Sequence, residues 1–511
     1  MALKPLILPV SEFAPDMPDY RDEASSNAMN VIPRTPKSYG PLAAPSIYSN
    51  ALKKKCQGAY FGVDSGGNIN GFAGDANDLY NLTVSSTGWT IVSSSPGAYS
   101  IASSDLWQFC LFGINVIATD YADAIQSFTL GTSTAFAALA AAAPKARFAC
   151  VSKSFLVVAD TNDPVFGQQH QRVWWCANGD PTNWPTPGSA LAAQYESDFQ
   201  DLLGDGGFIK GIVGNLGNAD LLIFQERAVF RGVWVGGPNV FDFFPMEGVR
   251  GCPASGSIAQ LGGVVYYLAQ DGFYVNDGGQ SIPIGANKVD KTFYADLDQN
   301  YFGSISAAID PFNKLYIVFY PGAGHAGSNC NKMLIYNWQL QRWSEAIPFA
   351  NGGELIARAL SFGYTLDQLY TVLGYFLDTL PAPLDSRLWT ADNVLLGAFD
   401  SNHALNAFTG APLPATVDTS EFQATDGMVT KFINTKPIVD GNVIPSVSLG
   451  VRNRQVDTPS FGTPIAMDAL GNSPQRAVGR YARARITIPS SSSWTNISGV
   501  ELEGVPAGVR Y

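Results

Sequence analysis

Charge is scarce in this sequence. Asp, Glu, Lys and Arg make up 14% of its 511 residues, where soluble domains carry about 25%. Histidine is scarcer still: His170, His325 and His403 stand far apart, in no spacing that would build a zinc site. The six cysteines, Cys56, Cys110, Cys150, Cys176, Cys252 and Cys330, form no C-x-x-C pair. Buried thiols in a reducing compartment are therefore expected in preference to three disulfides. No run approaches the roughly 18 apolar residues of a membrane-spanning helix. Met1 to Val10, interrupted by Pro5 and Pro9, is too short for a secretory signal. A soluble protein made in a cytoplasm is the expectation, with the sequons at Asn81 and Asn496 idle.

What is present is glycine (51 residues), aromatic rings (12%) and hydrophobic side chains (46%). Such a chain is neither disordered nor a coiled coil. It predicts many short strands, tight turns and a surface that partly meets protein. The net charge of −12 argues against bulk attraction to nucleic acid.

The organisation reads in three parts: a Pro-rich arm over 1–55, a propeller-like body over 56–410, and a basic β domain over 411–511 that packs with the arm. Eight prolines between Pro5 and Pro45 predict an extended arm without helix or central strand; Lys53-Lys54-Lys55 at its end reads as a solvated turn. In the body, apolar runs recur at Gly58–Phe61, Asn115–Ala118, Phe155–Val158, Leu221–Phe224, Val264–Leu268, Leu315–Phe319 and Leu369–Leu373, roughly 40 to 65 residues apart, a propeller-blade spacing. Asp271-Gly272 and Asp277-Gly278 cut the stretch after Val264 into three strand-like pieces. Leu334 to Trp343 reads as strand, turn and tryptophan, like a kelch blade edge. The fold class is all-β: an irregular β-propeller of six or seven blades with an additional small β platform domain. Ala135–Ala143 has helix propensity but stops at Pro144. A short amphipathic helix fits Val289, Phe293, Tyr294 and Leu297, and Leu366–Leu380 reads as strand rather than helix. Residues 430–511 carry nine Lys or Arg against five Asp or Glu, a net of +4, leaving −16 for the rest.

Few residues point to chemistry. Gly322-Ala323-Gly324-His325-Ala326-Gly327 matches G-x-G-x-x-G but leads into another strand instead of a helix, so a hairpin loop is expected. Asp160-Thr161-Asn162-Asp163 lacks EF-hand spacing and reads as turn-forming. No G-x-S-x-G elbow is present, and Ser86–Thr90 lacks the Asp of a sialidase-type box. No catalytic residue, cofactor or metal is expected. The candidate interaction residues are Arg452, Arg454, Arg476, Arg480, Arg483 and Arg485. On a strand, Arg483 and Arg485 share a face, to grip phosphate, pair with a neighbouring subunit, or blunt a solvated edge strand.

Several stretches then resemble one family. They are Asn30-Val31-Ile32-Pro33 with Ser38-Tyr39-Gly40-Pro41, Trp107 to Asp120, Val173-Trp174-Trp175 with Asn183-Trp184, and Gly248-Val249-Arg250-Gly251 with Ser257. Asp271-Gly272-Phe273-Tyr274 through Ile284 to Asp290, and Arg480-Tyr481 through Arg485, Pro489 and Trp494 to Val500, complete the set. Together the chain is similar to the tail nozzle (tail hub, or packaged-DNA stabilisation) proteins of short-tailed bacteriophages. The resemblance implies a structural virion component with no catalytic residue. It would be a homo-hexamer that extends the DNA channel below the portal and its adaptor (head-to-tail connector) proteins, retains packaged DNA and forms the conduit for ejection. Its partners would be those connector proteins, tail fibres or a distal needle or plug, and genomic DNA sliding past without sequence-specific binding. It would be assembled in the host cytoplasm and reside in the phage tail. The alternatives are a propeller-type glycan-binding or glycan-hydrolysing tail component, whose funnel would hold convergent acids and aromatics, and a monomeric scaffold or lectin-like propeller of a cell.

Overall fold

The computed structural model describes residues 5–18, 24–83, 88–237, 239–325, 327–360, 376, 378, 380, 394–425 and 427–508. Within them the chain is all-β and propeller-like, with seven antiparallel four-strand units in succession. The first strands of the units are Gly58–Val63, Gln108–Phe112, Lys145–Ser152, Ile209–Gly214, Ala259–Leu261, Ser306–Asp310 and Gly353–Leu360. Residues from all seven line one central cavity.

The second strands of units two to six are Asn115–Thr119, Phe155–Asp163, Leu221–Gln225, Val264–Leu268 and Leu315–Tyr320. These hold five of the apolar runs seen in the sequence; Gly58–Phe61 falls in a first strand instead, and Leu369–Leu373 lies outside the described residues. A second strand is hydrogen-bonded on both sides and covered on both faces by neighbouring units, so it needs continuous apolar sequence, not alternation. Leu221–Gln225 and Leu315–Tyr320 are buried throughout.

The seventh unit borrows its outermost strand from the N-terminus. Ala43–Ala51 pairs antiparallel with Ala404–Pro412, and Pro45, on that outer edge, needs no ladder partner for its missing N–H. The boundary expected near residue 410 thus falls inside a strand. The N-terminal segment also contributes an interior strand, contrary to expectation. Ser38–Pro41 lies between Val31–Thr35 and the C-terminal strand Ser493–Pro506. Its Pro41 sits at the strand end, where the ring is tolerated.

Leu6–Pro9, Ser473–Gly479 and Thr430–Asn442 complete that six-stranded sheet. A second, ten-stranded sheet runs from the sixth unit straight into the C-terminal region: Arg342–Ala346, Ala28–Met29, Ala415–Asp418, Tyr481–Ile488, Ser446–Arg452 and Ser460–Phe461. Met29 is the splice, paired with Glu345 on one side and Thr416 on the other. The packing is equally continuous. Phe273, Phe293, Tyr316 and Trp343 of the body share one buried cluster with Val417, Phe432, Ile486, Trp494 and Ile497.

Helix is sparse. Ala135–Ala143 yields only an outer strand at Ala137–Ala138; with Pro144 ending it, the run is too short to nucleate a helix. Helix α1 (Ala190–Tyr195), not foreseen, is capped by Ser189 Oγ on Ala192 N at 3.1 Å. Helix α2 (Asp290–Asp296) forms where periodicity placed it and buries Phe293. The described part of the glycine-rich stretch, 322–325 and 327, lies between the antiparallel strands Leu315–Tyr320 and Lys332–Asn337 and leads into no helix.

Candidate functional site

The central cavity has a volume of about 700 Å³. Phe109, Phe148, Ile212 and Ile309 give it apolar walls, and Lys210 and Arg358 are the charged side chains among its lining. In units two to six each first strand runs in the same sense, so the chain passes from unit to unit on one face, and a second, smaller pocket of about 350 Å³ opens at that mouth.

A linked set of polar side chains lies there. Arg147 Nη1 donates to Asp105 Oδ1 at 2.5 Å, and its Nε donates to Asp160 Oδ2 at 2.8 Å. The other oxygen of Asp160 meets His170 Nδ1 at 2.7 Å. The His170 ring lies between Phe208, at 4.2 Å between centroids, and Tyr121, at 6.0 Å. Arg147 also sits 4.6 Å over the Tyr121 ring. Asp160 has φ +55°, where the register shifts between Ala159 and Thr161; a bulge of this kind re-aims the side chain it carries. Burial raises the Asp160 carboxyl above its ordinary pKa, with His170 and Arg147 opposing. The turn-forming role expected of this acidic stretch belongs to Asp163, whose Oδ1 accepts from Val165 N and Phe166 N. Asp160 instead serves the network. Asp105, Arg147 and His170 were not foreseen, because three separate segments bring them together; only the hairpin that sets Asp160 near His170 left a trace in the sequence.

The six arginines divide by environment. Tyr481–Ile488 alternates half-buried and buried positions, and Arg483 and Arg485 share its outer face. It is not an edge strand, being flanked by Ala415–Asp418 and Ser446–Arg452. Arg485 makes a bidentate pair with Asp418, 2.8 Å at each contact, and lies 4.1 Å from the Phe461 ring, with Arg483 at 5.2 Å. Arg452 Nε donates to the buried Glu421 at 2.6 Å. Arg480 donates its backbone N–H to Arg452 O at 3.2 Å. Arg454 pairs with Asp457 at the surface at 2.7 Å, and Arg476 is exposed. Arg452 and Arg485 thus hold the C-terminal region together, while Arg454 and Arg476 face outward.

The segment from Asp271 to Asp290 anchors the N-terminus. A Cβ on Gly272 would stand 2.1 Å from Asp290 Oδ2, and one on Gly285 2.0 Å from Oδ1, so both glycines are needed to cradle that carboxylate. Asp16 accepts from Lys291 N and Thr292 N, each at 2.8 Å, capping α2, and Glu12 pairs with Lys288 at 2.6 Å.

Among the described residues, no three His, Cys, Asp or Glu side chains are grouped to hold a metal ion, and no helix is long and apolar enough to cross a membrane. No family model and no curated protein matches the sequence. Among solved structures, the chain is similar to the computationally designed Ika8 protein, at 9% identity over 72% of this chain and 99% of that one, with a TM-score of 0.34. It is likewise similar to a chain of a mitotic checkpoint complex, at 10% identity over 74% of this chain and 95% of that one, with a TM-score of 0.35. Likeness at this level carries no functional argument.

Proposed function

We propose that this protein is a ring-forming tail nozzle of a short-tailed phage. In this reading a seven-bladed propeller with a platform domain assembles as a hexamer below the portal and adaptor, retains packaged DNA and forms the ejection conduit. The observation that carries the reading is the single hydrogen-bonded sheet that runs from the sixth unit into the C-terminal region through Met29. A subunit in a pressurised tube must not flex between its parts, and a shared sheet and core suit that demand.

The cavity within one copy is the size of a small-molecule site, so the duplex would pass between copies. Sliding is easiest along walls that repel phosphate. Asp123, Asp163 and Asp205 lie in the connections and turns of the face where the chain passes between units, and that face is assigned to the lumen. The outward Arg454 and Arg476 are assigned to subunit or adaptor contacts. Negative-stain microscopy of the purified protein with its tail neighbours tests the reading. Six-fold rings are expected; solitary discs, or a ring with a strongly positive bore, overturn it.

A further inference from the structure

We infer that the pocket at the cavity mouth is a binding site for a neutral saccharide. The pocket opens on the face that the nozzle reading gives to the lumen, but its assignment rests on the wall residues alone and does not depend on ring assembly. Its wall carries Asp105, Arg147, Asp160, His170, Lys210 and Phe208. The charges nearly cancel. Arg147 bridges both carboxylates, and Lys210 is paired with Glu226 at 3.2 Å. With Glu226 counted, three carboxylates face the Arg147 guanidinium and the Lys210 ammonium, which leaves no surplus of positive charge to hold phosphates and other anions, while those same two cations disfavour amines. What remains suited is an uncharged ligand rich in hydroxyls.

The aromatic arrangement fits the same class. One side of Phe208 is stacked on His170, yet the residue is still 49% exposed, leaving its other side as a platform for the apolar face of a sugar ring. His170 is fixed by its Nδ1 contact to Asp160 and by two flanking rings, so Nε2 is the nitrogen left for a ligand hydroxyl. Gln108, Ser104 and Ser255 add uncharged donors and acceptors to the wall. A volume of about 350 Å³ lies at the lower end of small-molecule sites, about 300–1,000 Å³, and accommodates one or two sugar rings.

The geometry favours binding without hydrolysis. Glycoside cleavage needs a carboxyl that can protonate the leaving oxygen, whereas both carboxylates of this wall are ion-paired with the same guanidinium, that of Arg147.

The experiment is saturation-transfer NMR on the full chain with lactose, maltotriose and chitotriose as neutral probes and with AMP and spermidine as charged ones. Transfer to at least one neutral probe is expected, with none to AMP or spermidine. Phe208→Ala, at a half-exposed position, is expected to weaken binding at least tenfold with an unchanged melting midpoint. Asp105→Asn, which keeps the side-chain shape, is expected to weaken it several-fold. No transfer to any neutral probe overturns the assignment, as do undiminished binding in folded Phe208→Ala and preferential binding of AMP or spermidine. Release of new reducing ends from the oligosaccharides overturns the conclusion that the site binds without cleaving.

Discussion

The indole of Trp107 fills the space that a side chain on Gly74 would need: a Cβ there would stand 2.1 Å from Trp107 Cδ1. Trp107 donates Nε1 to the Asp75 carbonyl at 3.0 Å and packs with Phe72, Val116, Phe128 and Phe136, joining the first two units. Gly74→Ala is expected to destabilise the protein by about 1–3 kcal/mol through overpacking, and Trp107→Ala by about 3–5 kcal/mol. Denaturant unfolding measures both, and a Gly74→Ala variant as stable as the parent would contradict this packing.

Arg485 and Asp418 make the second prediction. Asp418 is fully buried, so removing Arg485 takes the bidentate partner from a buried carboxylate. Arg485→Ala is expected to cost about 3–5 kcal/mol, whereas Arg476→Ala, at an exposed position, should stay within about 0.5 kcal/mol. Comparing thermal midpoints of the two variants decides whether this part of the arginine cluster is structural.

Stability should depend on pH in an unusual direction. Burial pushes Glu345, Asp290 and Asp120 up to about 7, with Lys332 partly opposing at Glu345. An acid whose folded pKa exceeds its unfolded value binds more protons when folded, so stability falls as pH rises between the two values. The decline should run from about pH 4 to about pH 7 and level off above, at no more than about 1.4 kcal/mol per pH unit for each group. Glu345→Gln should make the unfolding free energy less steep across that window; an unchanged slope would exclude Glu345 from the effect.

Thiol chemistry gives a fourth check. All six cysteines are free and five are buried, and burial pushes Cys110, Cys176, Cys252 and Cys330 up to about 12. A thiol reagent at pH 8 is expected to titrate at most one equivalent from the native protein within minutes and six in guanidinium. Rapid release of several equivalents from the folded protein would contradict the burial.

Asp16 offers the last. It caps α2 from more than 270 residues away, and Asp16→Ala should cost about 1 kcal/mol. Hydrogen exchange at the Lys291 and Thr292 amides should quicken selectively; unchanged protection there would refute the cap.

How much of this was legible follows from where each signal resides. A doubly covered strand needs uninterrupted apolar sequence, so Leu221–Phe224 and Leu315–Phe319 announced strands directly, though not their place as the second strand of each unit. The Asp-Gly steps at Asp271 and Asp277 marked turns because their glycines adopt φ +150° and +90°. Local periodicity likewise revealed α2 around Phe293. Pairings between distant segments leave no such mark: nothing near Ala28–Met29 announces that it splices two sheets, and prolines obscured the interior strand at Ser38–Pro41. The mouth network was hidden for the same reason, and the bulge at Asp160 also disrupts residue counting across its hairpin. Arg452 and Arg485 stood out as a basic cluster, but their partners Glu421 and Asp418 are visible only once the strands are paired.

The pairing of Leu6–Pro9 with Ser493–Pro506, and of Ala43–Ala51 with Ala404–Pro412, has a consequence for biosynthesis. Each of these early strands must wait for a partner made several hundred residues later before it finds its edge. Such long-range closure slows folding and leaves strand edges open to other chains. A nascent chain that holds these early strands without their partners is therefore open to aggregation until Ser493–Pro506 has been made.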